Sequence, residues 1–515
     1  MSTLHSRARY SALALVSVAF VSACTGSSVK KAEPSPSPTL TPVTSATPSS
    51  TKVTIPGSPT PLPVPTLAFK GCGGGFECAA MAAPLDYAHP GLAQISISVI
   101  RHHVKNSNGA LLINPGGPGA SGVNAVRVGL PFVSALQSRK DIIGFDPRGT
   151  GGSTSIACGT HIDEFVATDS SPDNQAEVNQ LKAVSKQLAD ECLTKGGKAL
   201  LSHVTTADAA RDMDLLRAAL HLDRLDYLGY SYGTLLGAIY TEMFPARIGR
   251  FVLDGVLDPK LSARDIEIQQ AVAFEDALNS LLDSCGSGCP FKRKDSPDVK
   301  AEYDRLAASV DSTPLPTGET RKLTQALFTL GVAAGLYDRA RGWDAIKSGL
   351  AQAQGGDGSG LLRLSDSYTD RHQDGSYPTT LAAMYAVNCT DRPLDGGLTG
   401  LTNTATEIKK RAPRLGPTVV WLDMPCVVWP VAPIGKAHSI DVASPFGRNV
   451  VIVGTTRDPA TPYVNAQSLH GQIKGSRLVT FDGDGHTAVG RSGCVDRLVS
   501  AWLIDGTLPP EGSRC

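Results

Sequence analysis

Two kinds of apolar pattern alternate along most of this chain. Short continuous runs over residues 110–114, 141–145, 225–228 and 250–253 have the length and aliphatic content of strands buried on both faces. Residues 95–99 alternate polar and apolar positions, as a half-exposed strand does. Between these runs, apolar positions recur at helical spacing within 206–220, a polar helical stretch covers 177–192, and Leu235, Leu236, Ile239, Tyr240 and Met243 mark another helix. Strands alternating with helices in this order predict a doubly wound α/β domain with a mostly parallel sheet. The rhythm breaks near residue 257. From there to 445 helical patterns dominate, over 266–283, 300–310, 323–337 and 343–354. It returns with a strand over 449–454, a helix over 463–469, a strand over 477–481 and a last helix over 495–503. One α/β core, residues 67–256 and 446–515, is therefore expected to be split by a helical insertion, residues 257–445.

The amino-terminal end follows a different logic. Arg7 and Arg9 precede an apolar run over residues 12–21, too short to span a bilayer but as long as a signal-peptide core. It ends in Val21-Ser22-Ala23-Cys24, which resembles the lipobox of bacterial lipoproteins and implies that Cys24 becomes the lipidated first residue of the mature chain. Residues 1–24 are read as that signal. Residues 25–66, rich in Pro, Ser and Thr, are expected to form an extended linker, holding the folded part on the order of 100 Å from the membrane. The expected location is the extracytoplasmic face of the cell membrane.

Eleven cysteines are an odd number for an exported chain, and lipidation of Cys24 leaves ten. In an oxidising compartment disulfides are the default. The simplest scheme joins neighbours: Cys72 with Cys78, Cys158 with Cys192, Cys285 with Cys289, Cys389 with Cys426, Cys494 with Cys515. These spacings hold no paired metal-ligand motif, and no metal is expected. The 48 basic residues are balanced by 48 acidic ones, which leaves no excess charge for a nucleic-acid partner.

Chemistry concentrates at Gly229-Tyr230-Ser231-Tyr232-Gly233, a G-x-S-x-G pattern between an apolar strand and a helix. There a sharp turn exposes a serine hydroxyl, which makes Ser231 the candidate nucleophile. A serine needs a base, and the base needs a carboxylate. Asp458 and His486 both fall in loops just after strands and in the expected chain order, with Asp254 and His470 as rivals. The loop Pro115-Gly116-Gly117-Pro118-Gly119 lacks the Lys-Ser/Thr of a phosphate loop and the G-x-G-x-x-G spacing, so no nucleotide cofactor is expected. It suits an oxyanion hole, with the Gly117 amide joining that of Tyr232. Asp146 and Arg148, after the third of these strands, are expected to fix their loop as a local ion pair.

Taken together, Asn114-Pro115-Gly116-Gly117-Pro118-Gly119, Asp146-Pro147-Arg148-Gly149-Thr150-Gly151, Gly229-Tyr230-Ser231-Tyr232-Gly233 and Asp458-Pro459-Ala460-Thr461-Pro462 resemble the secreted tripeptidyl aminopeptidases of actinobacteria, relatives of proline iminopeptidase. The resemblance covers roughly residue 68 to the end. It implies an α/β-hydrolase fold with a helical lid, the same triad, no cofactor, and a peptide substrate cut from its free amino terminus. A carboxylesterase using the same machinery is the alternative. A substrate ammonium would need a buried acid in the lid, for which Glu267, Glu275, Asp276 and Asp391 beside Asn388 are the candidates. The oligomeric state is left open.

Overall fold

The computed structural model describes residues 51–129, 136–286, 288–296 and 298–515. The signal segment, Cys24 and residues 25–50 of the expected linker lie outside the described residues. Strands β1 (Lys52–Val53) and β2 (Leu62–Pro63) pair as a small antiparallel ribbon. The others, β3 (Lys70–Gly71), β4 (Phe76–Pro84), β5 (Gln94–His102), β6 (Ala110–Asn114), β7 (Asp141–Phe145), β8 (Leu225–Tyr230), β9 (Ile248–Asp254), β10 (Val450–Arg457) and β11 (Arg477–Asp484), form one sheet. Its order is β11-β10-β9-β8-β6-β7-β5-β4-β3. From β11 to β7 neighbours run parallel, and β5, β4 and β3 add an antiparallel edge.

The apolar runs read as two-sided strands because their side chains serve two cores in turn. Leu112, Tyr227 and Ile452 pack into one cluster, while their neighbours Leu111, Ile113, Leu228, Val451 and Val453 pack into the other. Strand β4 escaped the pattern reading because its sequence is alanine-rich and weakly strand-forming. Nine consecutive pairs with β5 hold it in place.

Part of the expected linker is folded. Val53, Ile55, Leu62 and Val64 are buried, and the backbone oxygens of Pro56 and Thr54 accept from Arg211 Nε at 2.7 Å and Arg247 Nη2 at 3.0 Å. Averaged composition hides four aliphatic residues among the prolines, and those four are enough to seat residues 51–66 on the domain.

Between β9 and β10 the chain is mainly helical, including Ala263–Cys285, Gln325–Leu336, Thr380–Asp391 and Gly416–Trp421. Disulfides join 72 to 78, 158 to 192, 285 to 289, 389 to 426 and 494 to 515, as the neighbour scheme expects. The bridge from Cys389 to Cys426 ties two helices of the insertion, Thr380–Asp391 and Met424–Val427. Among the described residues no helix is long and apolar enough to cross a membrane.

Asp146 and Arg148 do not pair with each other. Arg148 lies buried in a bidentate bond with Asp212, at 2.7 Å through both Nε and Nη2, and its remaining N–H groups reach the carbonyls of Pro84, Leu85 and His203. Asp146 accepts from Ser121 Oγ, Val123 N and Gly152 N at 2.6, 3.0 and 2.8 Å. A buried guanidinium needs a full set of acceptors, and a carboxylate two residues away cannot bring the backbone carbonyls that Arg148 finds beside Asp212.

Candidate active site

Ser231 stands between β8 and the helix Tyr232–Met243 with φ 54° and ψ −123°. A non-glycine residue held there costs on the order of 1–3 kcal/mol unless its surroundings impose it. They do: the Ser231 amide donates to the carbonyl of Asp254 at 2.9 Å, and its own carbonyl accepts from Thr234 N at 2.8 Å and Thr234 Oγ1 at 2.6 Å. The glycine-rich loop after β6 lies directly against this turn. A Cβ at Gly116 would fall 2.9 Å from Ser231 Cβ and 3.3 Å from Tyr232 N, so only glycine permits the approach. The Gly116 amide is occupied by Asn114 Oδ1 at 2.9 Å. Gly117, next in the chain, lines the cavity at Ser231. The Tyr232 amide opens its helix, where an N–H has no partner within the helix.

Asp458 and His486 converge from the loops after β10 and β11. Both carboxylate oxygens of Asp458 lie 3.0 Å from His486 Nδ1. The carboxylate also accepts from Ala460 N, Thr461 N, Thr461 Oγ1 and Thr487 N at 2.8–3.1 Å. Such a web fixes the carboxylate in place, and an Nδ1–H donated to it leaves Nε2 as the acceptor nitrogen. The His486 ring stands edge-on to Tyr337 with centroids 5.3 Å apart, and Tyr337 O accepts the His486 amide at 2.9 Å. Gly255 joins the two halves of the site. It follows the Asp254 carbonyl that holds Ser231, and a Cβ on it would lie 3.2 Å from His486 Cε1.

The rivals stand elsewhere. His470 sits in the helix Tyr463–Gln472 with Nδ1 2.8 Å from Ser476 Oγ. Asp254 is buried and accepts from the amides of Ala488 and Val489 at 2.8–3.1 Å, which steadies the loop carrying His486. Burial pushes its carboxyl up to about 6 even though those amides oppose the shift.

Of the lid acids, the structure brings one to Ser231. Glu267 lines the cavity there together with Asn388, and so does Asp423. Glu275 instead binds Arg414, accepting from its Nη1, its amide and the amide of Leu415 at 3.0–3.1 Å. Asp391 is taken by Thr206, whose amide and hydroxyl it accepts while that hydroxyl meets Tyr232 OH at 2.7 Å. Asp276 lies on an outer groove of its helix. Helix periodicity could not separate these acids, because each also fits a helix surface. Asp423 was missed, although it stands alone among apolar residues in Val419-Val420-Trp421-Leu422-Asp423-Met424-Pro425, a context in which an acid is dear to keep.

Glu267 is 3% exposed, and its oxygens meet no N–H or hydroxyl donor; what lies beside it is the Asp423 carboxyl, with which it shares a proton. Burial, then the neighbouring Asp423 carboxyl, holds it well above the usual carboxylate range, and burial raises Asp423 as well. Arg392 also lines the cavity, and burial lowers its own affinity for a proton. Among the described residues no group of three or more His, Cys, Asp or Glu could hold a metal ion. What the site offers is a constrained serine, an oriented imidazole, the Gly117 loop and the helix start at Tyr232 lining the cavity, and a pair of acids. That set suits acyl transfer through a tetrahedral oxyanion.

Replacing Ser231 or His486 with Ala is expected to lower turnover by on the order of 10⁴ to 10⁶, while His470→Ala keeps near wild-type rates. Steady-state kinetics on any cleaved amide or ester decides it, and loss of activity in His470→Ala with retention in His486→Ala would overturn the assignment.

Comparison with known proteins agrees with this geometry. Residues 109–288 match the model of the alpha/beta hydrolase fold, and residues 412–515 match that of TAP-like proteins. Serine protease Hip1 of Mycobacterium tuberculosis is 35% identical over 86% of this chain and 88% of its own. Carboxylesterase B of the same organism is 36% identical over 85% and 86%. Tripeptidyl aminopeptidase of Streptomyces lividans is 31% identical over 85% and 83%. The chain belongs to the TAP-like family of α/β-hydrolases, and it is a serine hydrolase.

Proposed function

We propose that this hydrolase is an exopeptidase that releases short peptides, of tripeptide size, from free amino termini. The observation that carries the reading is the Glu267–Asp423 pair in the cavity of Ser231, with Glu267 buried and meeting no N–H or hydroxyl donor. Two carboxyls are costly to bury side by side, and Arg392, which lines the same cavity, has its own charge disfavoured by burial. A substrate ammonium supplies the missing charge and donors, whereas the acyl group of a simple ester brings neither. In the reaction, Ser231 attacks the scissile carbonyl as His486 takes its proton, Asp458 steadies the imidazolium, and the Gly117 and Tyr232 amides hold the oxyanion. His486 then protonates the departing amine, and water repeats the cycle on the acyl-enzyme.

The lipobox-like segment supports export and anchoring through Cys24 at the extracytoplasmic face of the cell membrane. One acyl chain alone binds weakly, so firm anchoring calls for further acylation. The Cys24→Ala protein is expected in the medium or unprocessed. If it is processed and partitions into detergent like wild type, the anchor is excluded.

A tripeptidyl amide with a free amine is expected to be cleaved at least about tenfold better than its acetylated twin, a difference of ~1.4 kcal/mol in the transition state. Glu267→Gln should erase most of that preference by slowing the free amine alone. Burial and the Asp423 carboxyl push Glu267 up to about 9, so it keeps its proton at neutral pH, and an ammonium that pairs with it must displace that proton. kcat/KM for free amines therefore rises with pH until the substrate amine, with a pKa of about 8, loses its own charge. Equal rates on the two substrates, or activity confined to acyl esters, would assign the enzyme to carboxylester hydrolysis.

A further inference from the structure

The space around Ser231 has two lobes, and the acid pair dominates only one. The second lobe, with a volume of about 190 Å³, also opens on Ser231, Gly117 and Asp423. Away from them Phe274, Leu330, Tyr337, Leu381, Met384 and Tyr385 make the apolar part of its wall, beside the polar Gln270, Thr329, Thr369, Asn388 and Thr418. A single water needs only about 10–15 Å³ of such space, so this lobe has room for a large side chain.

The lobe is tied to the catalytic machinery. Helix Thr380–Asp391 presents Leu381, Met384, Tyr385 and Asn388 along one face at positions i, i+3, i+4 and i+7. Its first turn presses on the oxyanion loop, where a Cβ at Gly119 would lie 2.3 Å from Thr380 O. Just before that helix, Thr379 Oγ1 accepts the Gly151 amide at 2.8 Å. Across the lobe Tyr337 packs against Phe274 and Tyr368, with centroids 5.7 and 5.9 Å away, and against His486. Wall and triad therefore share contacts.

We propose that this lobe is the side-chain subsite for the released peptide, selecting fragments that carry a bulky aliphatic or aromatic residue over those with small or charged ones. The inference rests on the exopeptidase reading. A released fragment runs from its ammonium, at the acid pair, to its carbonyl, at Ser231. Asp423 and Ser231 both border the apolar lobe, so side chains between the two anchors hang beside it. An apolar side chain there leaves water for a fitting wall. An aspartate there loses its hydration and shares the lobe with the Asp423 carboxyl, while a lysine loses its hydration over all of the wall except Asp423.

The test is a panel of free-amine tripeptidyl amides carrying Leu, Phe, Gly, Asp or Lys at each position in turn, each with its acetylated twin. At one position Leu and Phe should exceed Gly, Asp and Lys at least tenfold in kcat/KM. Met384→Glu should invert that order towards Lys at the same position and leave the other two positions unchanged. Labelling of Ser231 by a small fluorophosphonate checks that the variant is folded, and if it is not, the wild-type panel alone decides. A flat profile with free amines still preferred overturns the subsite and spares the exopeptidase reading. Acetylated twins matching the free amides would remove both.

Discussion

The backbone of Ser231 is the constraint on which the rest depends. A serine at φ 54° persists only where neighbours on every side hold it. Strand β8 lies between β6 and β9, so the loop after β6 brings its glycines against the turn, and the last residue of β9 fastens the serine amide. The same Asp254 that grips Ser231 through its carbonyl grips the amides after His486 through its carboxylate. Nucleophile and base are thus positioned by one residue at a strand end, and the parallel sheet is what brings those ends to one edge.

Around this rigid centre the insertion brings the acids Glu267 and Asp423 to the cavity of Ser231. Two other buried charges are well matched: Arg148 has Asp212 and three carbonyls, and Glu275 has Arg414. At Glu267 and Asp423, by contrast, burial favours the protonated forms even though Arg264 and Arg392 oppose it. A group kept in that condition is destabilising as pH rises above the ordinary carboxylate range, since folding then opposes an ionisation that the unfolded chain permits. On the exopeptidase reading proposed above, an ammonium entering the cavity relieves that conflict.

Much of this was legible in the sequence. Strands buried on both faces announce themselves as aliphatic runs, and G-x-S-x-G at a strand-to-helix junction marks Ser231 because few other residues tolerate that turn. The ordered loops carrying Asp458 and His486 follow from the same topology. What stayed hidden depends on distant contacts. Residues 51–66 look like a linker until Ile55 and its neighbours meet the helix bearing Arg211. Arg148 sits two residues from Asp146 yet finds its carboxylate sixty-four residues away in Asp212. Among the lid acids, spacing alone could not tell Glu267, which faces the cavity, from Glu275, which faces Arg414, because both lie on one helix and only the packing of Gly416–Trp421 and its flanks distinguishes them.

The most direct measurement is the order in which fragments leave a long unstructured peptide with a free amino terminus, followed by mass spectrometry from the earliest time points. Successive short peptides from the amino end, with the carboxyl-terminal remainder shortening in step and an acetylated copy left intact, are expected if the acid pair receives the ammonium. Early internal fragments, or equal digestion of the acetylated copy, would contradict it.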